Sequence, residues 1–337
     1  MGVKLTELIQ KKDIGYDDLK GKKIAVDFNN FAYQFLSSIR QRDGTPLMDS
    51  KSRITSHLMG IWTRFSNLMI KGVKLVVVFE GKAPSLKIAE IEEREHRKRL
   101  AEERFIAAQE REDIDDMYKY GKRVSRLTFD MVNESKELIK AMGLPVIQAP
   151  SEADAQMAFM NERNDVWACA SSDYDCLLHG TPRLITNLTL SQRRKLPSGG
   201  YIKINPEMIE LKDVLNNLSV TQDQLIAIGI LVGTDYNIGG VKKIGPKTAL
   251  KLVKQYRDFD KLFKEVKADF NWKKIYAIFK SMPIMKNYQL KWNPVDADKV
   301  KEILVKEHDF SEERIDKNLN ELIKDKSKGQ TGLGKWV

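Results

Sequence analysis

Histidine and cysteine are scarce in this chain, four of one and two of the other among 337 residues. None of His57, His96, His179 and His308 lies at metal-ligand spacing from another, which argues against histidine–zinc chemistry. Cys169 and Cys176 are too few for a disulfide framework or a four-ligand zinc site, and read as two reduced small hydrophobes. No apolar run reaches transmembrane length, and the N-terminal MGVKLTELIQKK lacks the apolar core of a signal peptide. A soluble, intracellular protein without membrane contact is expected. Ser85–Tyr120 has neither Gly nor Pro, and Glu92–Arg99 contains not one apolar residue. Such a stretch cannot pack as an ordinary core helix. It is a solvated helix laced with i,i+4 ion pairs, a long helical excursion, or a segment that orders on binding.

What is present is charge of both signs on an otherwise ordinary globular composition. Apolar residues make up 42% and charged residues 31%, so global disorder is excluded and a large core is affordable. The formal net charge of +10 favours a polyanionic partner, because clustered Lys and Arg release counterions from nucleic acid. Lys23–Phe28 and Lys74–Phe79 read as strands buried on both faces, hence parallel and central. Pro145–Gln148, Val166–Ala170 and Arg183–Ile185 are further strand candidates, and Gly200–Ile204 is a weaker one. Helical stretches such as Ile54–Ile70 and Leu127–Met142 alternate with them. The fold expected is α/β, with a mostly parallel central sheet flanked by helices. After Thr221 the chain reads as helix Gln222–Val232, a glycine-bearing loop and helix Pro246–Gln255, with Pro246 in the first turn. Lys324–Val337 is polar and reads as a flexible tail.

Seven carboxylates stand at the ends of such elements: Asp27, Glu80, Glu152, Asp154, Asp173, Asp175 and Asp235. Sites in open α/β sheets gather at the carboxyl ends of strands, where Asp27, Glu80, Asp173 and Asp175 fall. Asp173 and Asp175 are one residue apart, so an extended segment would point both to one face. Two adjacent acids repel unless a cation neutralises them, and magnesium prefers such oxygen ligands. A lone acidic pair is more often a solvated turn, and Glu112–Asp116 is assigned nothing on that ground. Ser151 with Asp154 resembles a helix N-cap arrangement. Glu152 and Asp154 converge only if Glu152 sits before the helix proper, so Glu152 is the firmer ligand. In Gly239–Lys247 the glycines, including Gly240 and Gly245, let backbone amides approach a phosphate, and Lys242, Lys243 and Lys247 add charge. An ordinary packing corner between two helices is the other reading of that loop.

Taken together, VDFNNFAYQFL, GTPLMDS, TSHLMG, VVFEGKAPSLK, APSEADAQ, SSDYDCLL, LVGTDYN and IGPKTALKL resemble, in order and along the whole chain, the flap endonucleases. The resemblance implies a structure-specific 5′ nuclease of archaeal origin. It would hydrolyse a phosphodiester near a single-strand/duplex junction in replication (Okazaki fragment maturation) and repair, with some 5′-3′ exonuclease activity. The seven acids would hold two magnesium ions. Lys87 and Arg94 match the basic residues that contact the scissile phosphate, and Tyr33 matches an aromatic on which a base near the cut stacks. The resemblance divides the chain into one nuclease domain, 1–325, with a helical arch at 85–126 and a helix–two-turn–helix element at 220–256, followed by a tail at 326–337. A potassium ion would sit in the helix–two-turn–helix loop. Gln330, Leu333 and Trp336 resemble the peptide that docks on the sliding clamp (PCNA). The partners implied are branched DNA with a 5′ flap and that clamp, around a monomer acting in the cytoplasm at the nucleoid, or in the nucleus of a eukaryote. Three positions depart from the family's pattern: Glu80 for Asp, Lys243 for Gly, and Val337 for a final aromatic. A clamp-bound junction adaptor with weakened catalysis is the alternative that Glu80 raises.

Overall fold

The computed structural model describes residues 3–111, 113–189, 193–195 and 200–330, with the backbone alone at 114, 193–195, 201–203 and 324–330. Nine strands are described: β1 (Lys12–Asp13), β2 (Lys23–Asp27), β3 (Lys74–Phe79), β4 (Val146–Gln148), β5 (Ala168–Ala170), β6 (Arg183–Thr186), β7 (Arg193–Lys195), β8 (Tyr201–Lys203) and β9 (Glu207–Glu210). Seven of them form one sheet in the order β1-β9-β6-β5-β2-β3-β4. The five strands β6, β5, β2, β3 and β4 run parallel, while β9 and β1 close one edge antiparallel. As expected, the two apolar runs are central neighbours, with Ile24 opposite Leu75 and Val26 opposite Val77.

The helices described are α1 (Phe28–Ser38), α2 (Ser56–Gly60), α3 (Ser66–Ile70), α4 (Ile88–Glu110), α5 (Ile114–Gly121), α6 (Phe129–Ala141), α7 (Ala153–Glu162), α8 (Asp175–Leu178), α9 (Leu211–Leu218), α10 (Gln222–Val232), α11 (Pro246–Gln255), α12 (Phe259–Glu265), α13 (Trp272–Ser281), α14 (Ala297–Lys301) and α15 (Glu312–Gln330), and all but α4 and α5 contribute to the layers on the two faces of the sheet. Alternate residues of the central strands enter different layers, as the period of a strand requires. Ala25, Val76, Val78 and Cys169 pack with α7 and α9–α13, whereas Ile24, Val26, Leu75 and Val77 pack with α1–α3, α6, α14 and α15.

Several expected boundaries move. Phe28 opens α1 instead of ending a strand, because the Asp27 side chain accepts a hydrogen bond from the Asn30 amide and caps the helix. Gly200–Ile204 contributes β8, which pairs with β7 in a separate ribbon rather than joining the main sheet. The antiparallel strand β9 (EMIE), between β1 and β6, is too short and too charged to announce itself by periodicity. Helix α15 continues through Gln330, so positions 324–330 of the expected flexible tail are helical. Leu333 and Trp336 lie outside the described residues, as does the side chain of Gln330.

Of the three readings open for the charged segment, the structure takes a helix: α4 has 23 residues and is about 35 Å long. Arg94–Glu90 and Arg97–Glu93 pair at i,i+4, and Lys98–Glu95 at i,i+3. Only Glu90, Lys98, Ala101 and Ala108 of this helix are buried. It lies beside α5, and apart from Glu90 and Lys98 its charged side chains stay at least partly exposed. In the loop between α10 and α11, Gly233 and Gly240 touch backbone to backbone. A Cβ on Gly240 would come within 2.4 Å of the Leu231 carbonyl, so packing of the loop accounts for this glycine. Gly245 differs. It precedes α11 with an ordinary φ of −93°, and the space beside it is open. Lys243 adopts φ 66°, the left-handed conformation that a glycine would take without strain, at a cost of about 1–2 kcal/mol.

Candidate active site

All seven carboxylates line one cavity of about 630 Å³ at the carboxyl edge of the sheet. Asp27 is the last residue of β2, and Glu80 follows β3 directly. Gly81 makes the turn after Glu80 possible, since a Cβ there would lie 2.2 Å from the Ala149 carbonyl. Glu152 and Asp154 come from the start of α7, Asp173 and Asp175 from the turn into α8, and Asp235 from the loop after α10. Lys87 and Arg94 enter the same cavity from the base of α4, and Tyr33 from α1. Lys242, Lys243 and Lys247 are exposed and do not line it.

Two reasons given by the sequence for this convergence are corrected. Asp173 and Asp175 are not on an extended segment. They meet across a turn in which the Asp175 amide donates to Asp173 Oδ1 at 3.2 Å. Ser151 is not the N-cap of α7, for its hydroxyl donates to the Lys82 carbonyl. The N-cap position belongs to Glu152, whose φ of −80° and ψ of 142° are extended. That meets the condition for Glu152 and Asp154 to reach one site, and Asp154 stands in the cavity as fully as Glu152 does.

Cations already balance part of this charge. Lys87 Nζ lies 2.6 Å from Glu152 Oε1 and 3.2 Å from Asp235 Oδ2. The Arg94 guanidinium is 2.7 Å from Glu90 and 3.6 Å from Asp235. Lys98 Nζ stands 5.0 Å over the Tyr33 ring, on a face that a nucleobase would otherwise use. Neighbours the sequence did not single out orient the acids. The Tyr236 hydroxyl donates to Glu152 Oε2, Cys176 Sγ to Asp154 Oδ1, Asn29 Nδ2 to Glu80 Oε2 and the Val3 amide to Asp175 Oδ1. Tyr236 adjoins Asp235 in the TDYN motif and could have been suspected. Nothing local to Val3 marks it as reaching a residue 172 positions away.

Among the described residues the balance is incomplete. Burial, then the neighbouring Glu80, pushes the Asp27 carboxyl up to about 8. Burial and then Asp27 hold Asp154 well above the carboxylate range, and burial and then Asp173 do the same for Asp175. Burial opposes the charge of Lys87, yet Glu152, Glu80 and Asp235 outweigh it and raise its pKa. Among the described residues Asp235 Oδ1 is buried without any hydrogen-bond partner. An all-oxygen donor set with an orphaned carboxylate oxygen fits hard divalent cations of the magnesium class.

A pH dependence follows. Between the ordinary carboxyl value of 3.8 and about 8, the unfolded chain releases a proton that folded Asp27 retains. Stability of the metal-free protein therefore falls as pH rises through that window. Melting temperatures in EDTA are expected to drop from pH 5 to pH 8, and Mg²⁺ should raise them more at pH 8 than at pH 5. A Mg²⁺ effect independent of pH would show that the carboxyls are ionised without it.

Comparison with known proteins bears on what such a cavity serves. Residues 1–101 match the family described as the XPG N-terminal domain, and residues 143–235 match the XPG I-region. The protein named Flap endonuclease 1 of Thermococcus onnurineus is 47% identical over 342 residues, covering 100% of this chain and 99% of that relative. Its namesake in Hyperthermus butylicus is 48% identical over 348 residues, with the same coverage. Among solved structures, flap endonuclease-1 from Methanococcus jannaschii aligns with a TM-score of 0.78 at 39% identity, over 98% of this chain and 100% of that one. The catalytic core of Rad2 in complex with DNA substrate shares the fold, with a TM-score of 0.69 at 21% identity over 94% of this chain and 97% of that one.

Proposed function

Since the chain belongs to the flap endonuclease family, a family of structure-specific DNA nucleases, we propose that it cuts 5′-flap DNA beside the single-strand/duplex junction by two-metal hydrolysis, in replication and repair. The observation that carries this reading is the cavity in which seven carboxylates face Lys87 and Arg94. Asp27, Glu80, Glu152, Asp154, Asp173, Asp175 and Asp235 would hold two magnesium ions. Bound there, these ions supply Lewis-acid charge and make water acidic enough to attack at neutral pH.

The chain's own groups do the rest. Lys87 and Arg94 neutralise charge that builds on the scissile phosphate, from a low-dielectric wall where such charge counts most. Glu152 and Asp235, which Lys87 now engages, would be released to cations as Lys87 turns to phosphate. Tyr236 keeps Glu152 in one orientation. Tyr33 would stack a base once Lys98 gives way, and the 85–126 segment would pass the single strand. The open space beside Gly245, the N-terminus of α11 and exposed Lys242, Lys243 and Lys247 suit duplex phosphates. A potassium ion in that loop belongs to the same reading, with Lys243 at its left-handed position as the departure to examine. A labelled 5′-flap duplex, incubated with Mg²⁺ or with EDTA, tests the proposal. Binding without any Mg²⁺-dependent product would favour the adaptor alternative instead.

Two finer expectations concern the departures. Glu80 reaches outward by one methylene more than Asp and takes a hydrogen bond from Asn29. Glu80→Asp is expected to raise the cleavage rate at limiting Mg²⁺ by a few-fold and leave the rate at saturation little changed. An unaltered Mg²⁺ dependence would show that Asn29 already compensates. Deleting 330–337, with Gln330, Leu333 and Trp336, should leave cleavage of free flaps intact and abolish stimulation by the sliding clamp (PCNA), which acts by local concentration. Loss of basal activity would assign the segment a structural role. The reading has the protein working as a monomer at the nucleoid of an archaeal cell.

A further inference from the structure

Helix α4 carries two Arg–Glu pairs spaced four residues apart, and burial separates them. Arg97 and Glu93 are 41% and 45% exposed and lie 3.7 Å apart, the kind of pair that adds only local support to a solvated helix. The Glu90 side chain is 5% exposed. Its Oε1 accepts from Arg94 Nε at 2.9 Å and lies 2.7 Å from Arg94 Nη2, so one oxygen holds two nitrogens of the guanidinium. Among the described residues its Oε2 is buried without a hydrogen-bond partner. A carboxylate left half-satisfied in the interior is a cost to the fold. Support for the helix alone does not offset that cost, because an i,i+4 pair gives as much at the surface.

The place of Glu90 shows what it is held for. Arg94 lines the carboxylate cavity and Glu90 does not, so Glu90 grips the guanidinium from outside it. The same Nη2 is 3.6 Å from Asp235 Oδ2, inside the cavity. Arg94 thus stands between two anions, bound closely to the outer one and loosely to the inner one. Lys87 differs. Among the described residues both of its ion-pair partners, Glu152 and Asp235, are cavity acids.

We propose that Glu90 is a positioning residue for the reaction: it holds the Arg94 guanidinium off Asp235, which leaves that carboxylate to a cation and the guanidinium to phosphate. The inference rests on the reading of the cavity as a two-metal nuclease site. Without the charge of Glu90, Asp235 would be the one remaining ion-pair partner of Arg94 among the described residues. Attraction rises as separation falls, so the guanidinium would close on Asp235 and compete there with the metal. Glu90 also stands in the first turn of α4, where the positive end of the helix supports a negative charge.

The test uses the full chain and Glu90→Gln, which keeps the side-chain volume and removes the charge. Mn²⁺ binding without DNA, followed by calorimetry, is expected to weaken by about ten-fold. The Mg²⁺ concentration for half-maximal flap cleavage should rise by the same factor, while the rate at saturating Mg²⁺ stays within a few-fold. Glu90→Asp, which keeps the charge, should restore most of the Mn²⁺ affinity. In an Arg94→Ala background, Glu90→Gln should cause no further weakening, because the competing group is gone. Unchanged Mn²⁺ affinity in Glu90→Gln would overturn the proposal. So would a loss that persists without Arg94, which would assign Glu90 to the fold of α4 alone. The binding measurement involves no cleavage, so a parent chain that takes up Mn²⁺ but cuts no flap would refute the nuclease reading separately.

Discussion

Replacing Asp173 by alanine is expected to lower Mg²⁺-dependent cleavage of a 5′-flap duplex by about 10²–10³-fold, the range found when one centrally placed electrostatic group is lost. Affinity for the uncleaved flap should remain within a few-fold. Asp173 lies in the cavity and accepts from the Asp175 amide, so its removal would take away one ligand and loosen the next. Binding is spared because the duplex grip is assigned to the exposed lysines near α11. The variant also carries an internal control. Burial, then the nearby Asp235, raises the Asp173 pKa, so in EDTA near neutral pH the native protein holds this group at a cost. The variant should therefore melt no lower than the parent under those conditions. Unchanged turnover would remove Asp173 from the metal site; lost turnover with a lower melting temperature would mean only that the fold had been damaged.

For Lys87→Ala we expect a loss of about 10²–10³ in the single-turnover rate at saturating Mg²⁺, as for other preorganised donors to a developing oxyanion. The same residue has a second role that the metal masks. Its ammonium is the nearest counter-ion of Glu152 and Asp235, and its side chain is only 14% exposed. Removing one partner of a buried pair costs on the order of 3–5 kcal/mol, reduced where the stranded acids can take up protons. Lys87→Ala should accordingly be destabilised in EDTA and regain most of that stability when Mg²⁺ replaces the missing charge. A rate loss that higher Mg²⁺ fully rescues would show that Lys87 serves metal binding alone, and the transition-state role would be withdrawn. Equal destabilisation with and without Mg²⁺ would exclude the counter-ion role.

Both results rest on a site whose members were legible one by one. Asp27 and Glu80 each end a run of apolar residues, and a parallel strand buried on both faces can be read from such a run without any knowledge of its neighbours. The helical nature of 88–110 was open between three readings, because a segment without an apolar stripe gives no preferred packing face. Ala101 and Ala108 are buried in it beside Glu90 and Lys98, and two alanines in a charged run carry little signal. The antiparallel β9 escaped because four residues with two glutamates show no period.

By itself the sequence singled out seven candidate carboxylates and showed that most stand at the ends of apolar runs that read as parallel strands; local periodicity supplies those strands, and the resemblance supplies the roles. Only the tertiary structure decided how the acids are balanced: Lys87 between Glu152 and Asp235, Tyr236 on Glu152, the Val3 amide on Asp175, and Asp235 with one oxygen left over. It likewise brought His57 and His308 to Glu134 across most of the chain's length. The reason is that charge interactions depend on separations of a few ångströms and on burial. Neither is encoded in spacing along the chain.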